Sequence, residues 1–296
     1  TDVDFNSKSV TLLLTPEQEI KEPLVLSGFA EDVYITEQPE YVVSGDVILF
    51  LDEGVKLYGN TMELLLTIFD LVQKECGMSL KNDTPFYSMQ SSLRPDSIFD
   101  TDEFAGVDNA LEKYHIFVVQ PEVHSPYALP FTIILNPIDI EIAAGEGMGV
   151  VHEFTHTLQF ANGVGLGTIL NEGFATYVTG QLTRKDEVIP FSFDADYNYS
   201  DYETEITRQN AEEIFVNENG DVWQEYLYGY RFVSFLFETY GEDIYRTILK
   251  DATDSAGGCE YYYTNAEMVP ILKRNTSEYV FEEFADWLEA NKDRFE

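Results

Sequence analysis

Positive charge is what this 296-residue chain most lacks: 17 Lys and Arg stand against 54 Asp and Glu, a formal net charge of −37 at pH 7. So acidic a surface repels phosphate backbones and anionic headgroups, which argues against nucleic acid or an anionic membrane surface as a partner. Cysteine is almost absent. Cys76 and Cys259 are too few for a disulfide framework and too far apart in sequence for a metal-binding pair, so buried free thiols are expected. No run of about 18 apolar residues occurs, which excludes a transmembrane helix. Histidine is limited to four residues, and that scarcity gives weight to where they fall.

What is present is enough apolar material for a core. Hydrophobic residues make up 44% of the chain, which supports one large domain or two lobes rather than a disordered tail. Short apolar runs alternate with turns at Val10–Leu14, Leu24–Leu26, Val33–Ile35, Tyr41–Val43 and Val47–Leu51, and read as strands. Asn60-Thr61-Met62-Glu63 opens a helix with apolar residues at Met62, Leu65, Phe69 and Val72, ending near Gly77 and packing on the sheet. Tyr114–Val119 and Phe131–Leu135 are further strands. From Gly147 onward the period changes to helical, with helices expected at 147–160, 168–180, 222–240, 242–252, 265–273 and 277–292. The excess acid either keeps an exported or salt-adapted protein soluble or draws in cationic substrates.

Two of the four histidines stand four apart in His152-Glu153-Phe154-Thr155-His156. Residues four apart share a helix face, so both imidazoles can grip one metal ion while Glu153 projects beside them, placed to take a proton from water. With so few histidines, a chance match to this HExxH pattern is expected in on the order of one such chain in a hundred. Two ligands leave a catalytic zinc one short. Glu172 can supply the third, because Gly163-Val164-Gly165-Leu166-Gly167 lets the chain reverse and Thr168 can N-cap a second helix that returns past the first.

Leu170-Asn171-Glu172-Gly173-Phe174-Ala175 after that first motif resembles the second motif of the gluzincins, zinc metallopeptidases related to thermolysin and aminopeptidase N. The nearest likeness is to the bacterial peptidase MA-like group. Tyr226-Leu227-Tyr228-Gly229-Tyr230-Arg231-Phe232 resembles the aromatic-glycine helix that follows the zinc helices there, and the likeness covers roughly residues 130–250. It implies an α+β, zincin-like fold. A sheet-bearing N-terminal lobe, 1–160, would include the zinc helix, and a mainly helical C-terminal lobe, 161–296, would bring the third ligand, with the site in the cleft between. It further implies one catalytic Zn²⁺ on His152, His156 and Glu172, Glu153 as general base, Tyr226 steadying the oxyanion, substrate paired along the edge strand Phe131–Leu135, and hydrolysis of a peptide or protein.

The chain also departs from the pattern. No Gly-x-Met-Glu-Asn segment precedes the zinc helix, which favours an endopeptidase over an aminopeptidase, and Thr176 stands where thermolysin carries an aspartate that orients a zinc-bound histidine. His115 and His124 lie outside ligand spacing and read as surface or strand residues. Asp194-Ala195-Asp196-Tyr197-Asn198-Tyr199-Ser200, with Glu205 beyond, matches a Ca²⁺ loop only loosely, since Tyr199 takes the place of the turn glycine. An acidic solvated loop is the better reading. A start at Thr1-Asp2-Val3 without Met fits a secreted or cell-surface protein whose leader has been removed. Two rival functions stay open: a non-catalytic surface protein that kept the fold and binds a partner, and hydrolysis of a non-peptide amide or ester.

Overall fold

A computed structural model describes residues 2–5, 8–11, 33–35, 40–45, 47–58, 61–80, 114–119, 127–129, 132–137, 148–183, 205–217, 224–257 and 261–294. The fold is mixed α and β, and the chain divides into two compact units. One comprises Thr1–Asn162 with Gln181–Arg184, the other Gly163–Gly180 with Lys185–Glu296. His124, Cys259, the segment Leu24–Leu26 and the acidic loop Asp194–Ser200 lie outside the described residues.

The first unit is organised by a five-stranded sheet. Its strands are β4 (Glu40–Ser44), β5 (Val47–Leu51), β7 (Tyr114–Val118), β8 (Tyr127–Leu129) and β9 (Thr132–Leu135), in the order β4-β5-β7-β9-β8. The β5–β7 and β7–β9 pairs are parallel and the two outer pairs antiparallel. Parallel neighbours need a crossover, and helix α1 (Thr61–Cys76) lies in the connection between β5 and β7. Central strands buried on both faces read as unbroken apolar runs, which is why Val-Ile-Leu-Phe-Leu in β5 shows no alternation and is buried throughout. Four other strands among the described residues pair separately: β1 (Asp2–Phe5) with β2 (Lys8–Thr11), and β3 (Val33–Ile35) with β6 (Lys56–Tyr58).

Ile48, Phe50, Phe117, Val119 and Ile134 cluster on one face of the sheet, with Tyr127 against them. His115 is buried there beside Phe117, as a strand histidine would be. The other face receives the helices. Phe69 of α1 stacks on Tyr114 at 5.0 Å and meets Phe154 of helix α2 (Met148–Asn162) at 4.7 Å. The Tyr114 hydroxyl hydrogen-bonds Thr157 Oγ1 at 3.1 Å, fixing α2 to β7; burial pushes that phenol well above its ordinary pKa, so it stays protonated. Asn162 Nδ2 donates to the Ser79 carbonyl at 3.0 Å at the far end of α2.

One strand expectation is corrected by the pairing. β9 is hydrogen-bonded to β7 on one side and β8 on the other, so the strand expected at Phe131–Leu135 is, over its described residues Thr132–Leu135, not an edge; among the described residues β8 ends the sheet.

The second unit is helical: α3 (Thr168–Thr183), α4 (Ala211–Val216), a π-helical turn at Gln224–Tyr228, α5 (Gly229–Tyr240), α6 (Ile244–Ser255), α7 (Asn265–Asn275) and α8 (Val280–Ala290). Phe215, Phe232, Phe235, Phe281 and Phe284 form its aromatic centre, each at most 1% exposed. Phe174 of α3 stacks on Tyr245 of α6 with ring centroids 3.8 Å apart. The turn before α3 is shaped by close contact: a side chain at Gly163 would strike Leu249, one at Gly165 would strike Tyr262, and Gly167 has φ +82°. Thr168 proves to be the first helical residue rather than a side-chain cap. Asn265, buried and 96 residues from Ile169, accepts the Ile169 amide at 3.3 Å and donates to Thr168 Oγ1 at 3.3 Å. A paired arginine ties α6 to α7, with Arg274 Nε and a terminal guanidinium nitrogen donating to the two Asp251 oxygens at 2.6 and 2.9 Å.

Candidate metal centre

Helical spacing does for His152 and His156 what the sequence requires of it. They lie one turn apart on α2 with Nε2 atoms 2.9 Å from each other and ring planes 81° apart, at 3% and 7% exposure. α2 can present two imidazoles from a buried position because its other faces are occupied: Phe154 packs on Phe69, Thr155 Oγ1 donates to the Val151 carbonyl and Thr157 Oγ1 to the Glu153 carbonyl. Glu153 is half-buried between them in sequence.

Glu172, half-buried in the first turns of α3, completes the group. One ligand atom from each of His152, His156 and Glu172 lies within 4.8 Å of the other two. Two neutral imidazoles and one carboxylate are a donor set that zinc accepts. A tetrahedral zinc with bonds near 2.0–2.1 Å sets two nitrogens about 3.3 Å apart, so the imidazoles need open by only a few tenths of an ångström to admit one. The three residues fit a metal ion.

The position of Glu172 follows from two glycines. A Cβ on Gly173 would sit 2.4 Å from the carbonyl carbon and oxygen of Gly229, and one on Gly229 would sit 2.4 Å from the Ile169 carbonyl oxygen. α3 and the start of α5 therefore cross backbone to backbone, one residue from Glu172. Asn171, on the other side of Glu172, accepts the Leu166 amide at 3.2 Å through Oδ1.

The tyrosines separate clearly. Tyr228 is buried and donates its hydroxyl to the Ala211 carbonyl at 2.9 Å, which commits it to packing. Tyr230 faces Tyr177, with ring centroids 6.4 Å apart. Tyr226 is half-buried in the π-helical turn, where the expected helix of 222–240 is locally widened before Gly229. π-turns of this kind frequently sit at functional sites. Thr176, one turn after Glu172, is buried, and its Oγ1 has no hydrogen-bond partner among the described residues.

Sequence reasoning missed one residue next to the group. Gln159 is 1% exposed and its Oε1 lies 2.7 Å from His156 Nδ1. Its spacing of three from His156 was the available signal, but a lone glutamine in a helix carries no chemistry until its rotamer is known.

No protein-family model matches the chain, and no curated protein matches it.

Proposed function

We propose that this chain is a zinc-dependent metallopeptidase of gluzincin type on a zincin-like fold. The observation that carries the reading is the convergence of His152, His156 and Glu172 ligand atoms within 4.8 Å, with Glu153 adjoining the first ligand on the same helix. Zinc held by these three would supply Lewis acidity, polarising a carbonyl and bringing the pKa of water down to about 7. Glu153 would act as general base: its carboxylate would accept the proton that a water loses as its oxygen bonds the scissile carbonyl carbon, and would pass that proton to the leaving amine as the C–N bond breaks. Its half-buried setting suits a group that must meet solvent and substrate in turn. The Tyr226 hydroxyl donates to the carbonyl oxygen as charge develops there. β8, which ends the sheet among the described residues, replaces Phe131–Leu135 as the strand along which an extended peptide would pair. Endopeptidase action is the form proposed, because the chain lacks the Gly-x-Met-Glu-Asn segment.

The test is zinc content and cleavage of a mixed peptide library. Wild type is expected to bind one zinc per chain and to cleave, and His152→Ala to lose both. Zinc without cleavage in the wild type would move the reading to a binding protein or a different amide or ester substrate; no zinc would end it. Tyr226→Phe keeps the ring and removes the hydroxyl, and should lower kcat by roughly 10²–10³-fold, the cost of one oxyanion donor. Unchanged turnover in that variant removes Tyr226 from the mechanism.

A further inference from the structure

The contact between Gln159 and His156 has a chemical consequence for the metal centre. An amide oxygen accepts hydrogen bonds and cannot donate. With Gln159 Oε1 2.7 Å from His156 Nδ1, the proton of the neutral imidazole must lie on Nδ1, which leaves Nε2 with its lone pair exposed. Nε2 is the atom that faces His152 Nε2 at 2.9 Å. Both side chains are buried, His156 at 7% and Gln159 at 1% exposure, so the contact is shielded from competing water, and the Phe160 ring lies nearly parallel to the imidazole, 17° between planes at 6.1 Å. The bond, the aromatic neighbour and the helix together hold one tautomer in one orientation.

From this we infer that Gln159 is a positioning residue that fixes His156 as the Nδ1–H tautomer and so presets its Nε2 for metal. The inference rests on the metallopeptidase reading. The acceptor is uncharged. It therefore orients the ring without adding a second negative charge beside Glu172, whereas a carboxylate in that place would also make the imidazole a stronger donor.

The experiment uses the 296-residue chain in three forms: wild type, Gln159→Met, which has nearly the same shape and no oxygen, and Gln159→Glu, which restores an oxygen acceptor. Zinc affinity is read by competition with a chromophoric chelator, and the His156 tautomer by ¹⁵N NMR of the metal-free proteins, with thermal melting to show that each is folded. Gln159→Met is expected to bind zinc 10–100-fold more weakly, as loss of an outer hydrogen bond to a ligand does elsewhere, and to show His156 as a mixture of tautomers. Gln159→Glu should bind at least as tightly as wild type and stay Nδ1–H. Wild-type affinity and tautomer in Gln159→Met would overturn the inference, as would equal loss in both folded variants. Should wild type bind no zinc, the metal reading itself fails, and this is distinguished because the tautomer is recorded without metal. A variant that does not fold is replaced by Gln159→Leu or Gln159→Asn, with the same two readouts deciding.

Discussion

Glu153→Gln is expected to bind zinc as tightly as the wild-type protein while cleaving peptides on the order of 10²–10⁴-fold more slowly, the range associated with a lost general base. The separation of the two effects follows from where Glu153 stands. It is not among the three residues whose ligand atoms converge, so removing its charge leaves the donor set whole. Its backbone is held independently of its carboxylate, because Thr157 Oγ1 bonds the Glu153 carbonyl at 3.2 Å and in turn meets the Tyr114 hydroxyl at 3.1 Å. Glutamine has the same length and volume but cannot accept the proton that the attack on a carbonyl releases. Metal analysis and initial rates on the best library peptide give both quantities from one preparation. A variant as active as wild type would refute the base assignment, and one that loses zinc would mean that Glu153 helps to hold the ion instead.

Much of this centre was legible in the chain itself. His152 and His156 declare themselves through a fixed helical spacing, and helix α2 forms where the period says it should. Glu172 could be offered as a third ligand from the glycine-rich turn that reverses the chain before α3, and the resemblance of Leu170–Ala175 to a second zinc motif then singled it out. The helices of the second unit follow from their apolar stripes, and α6, α7 and α8 lie within a few residues of expectation. What was hidden is either too short to show a period or too distant to show a partner. β8 has three residues and α4 six, less than a strand or two helical turns can signal. The π-turn at Gln224–Tyr228 differs from the helix expected there only in its hydrogen-bond register. Asn265 caps α3 from 96 residues beyond Ile169, a tertiary choice that no window of sequence contains, and Phe131–Leu135 could be read as a strand but not as an inner one.

Gly173→Ala is expected to lower the melting temperature of the metal-free protein by roughly 5–10 °C, a few kcal/mol of overpacking spread over a chain of this length. In most helices this exchange stabilises, because alanine is the better helix former by about 1 kcal/mol. Here the added methyl would sit 2.4 Å from the carbonyl carbon and oxygen of Gly229 and 2.6 Å from its Cα. All three are backbone atoms, so no side chain can swing aside, and relief requires α3 and α5 to part. Gly180, on the same helix, supplies the contrast: its nearest neighbour would be Tyr230 Cε2 at 3.5 Å, an ordinary contact. Gly180→Ala should therefore melt at or slightly above the wild-type temperature. Glu172 adjoins the crossing, and parting the helices moves it relative to the rest of its own unit; folded Gly173→Ala should accordingly show weaker zinc binding, which Gly180→Ala should not. Equal melting of Gly173→Ala and wild type would mean that the two backbones do not touch. Loss of stability with zinc affinity intact would mean that Glu172 is placed by Asn171 and the preceding turn rather than by the glycine contact.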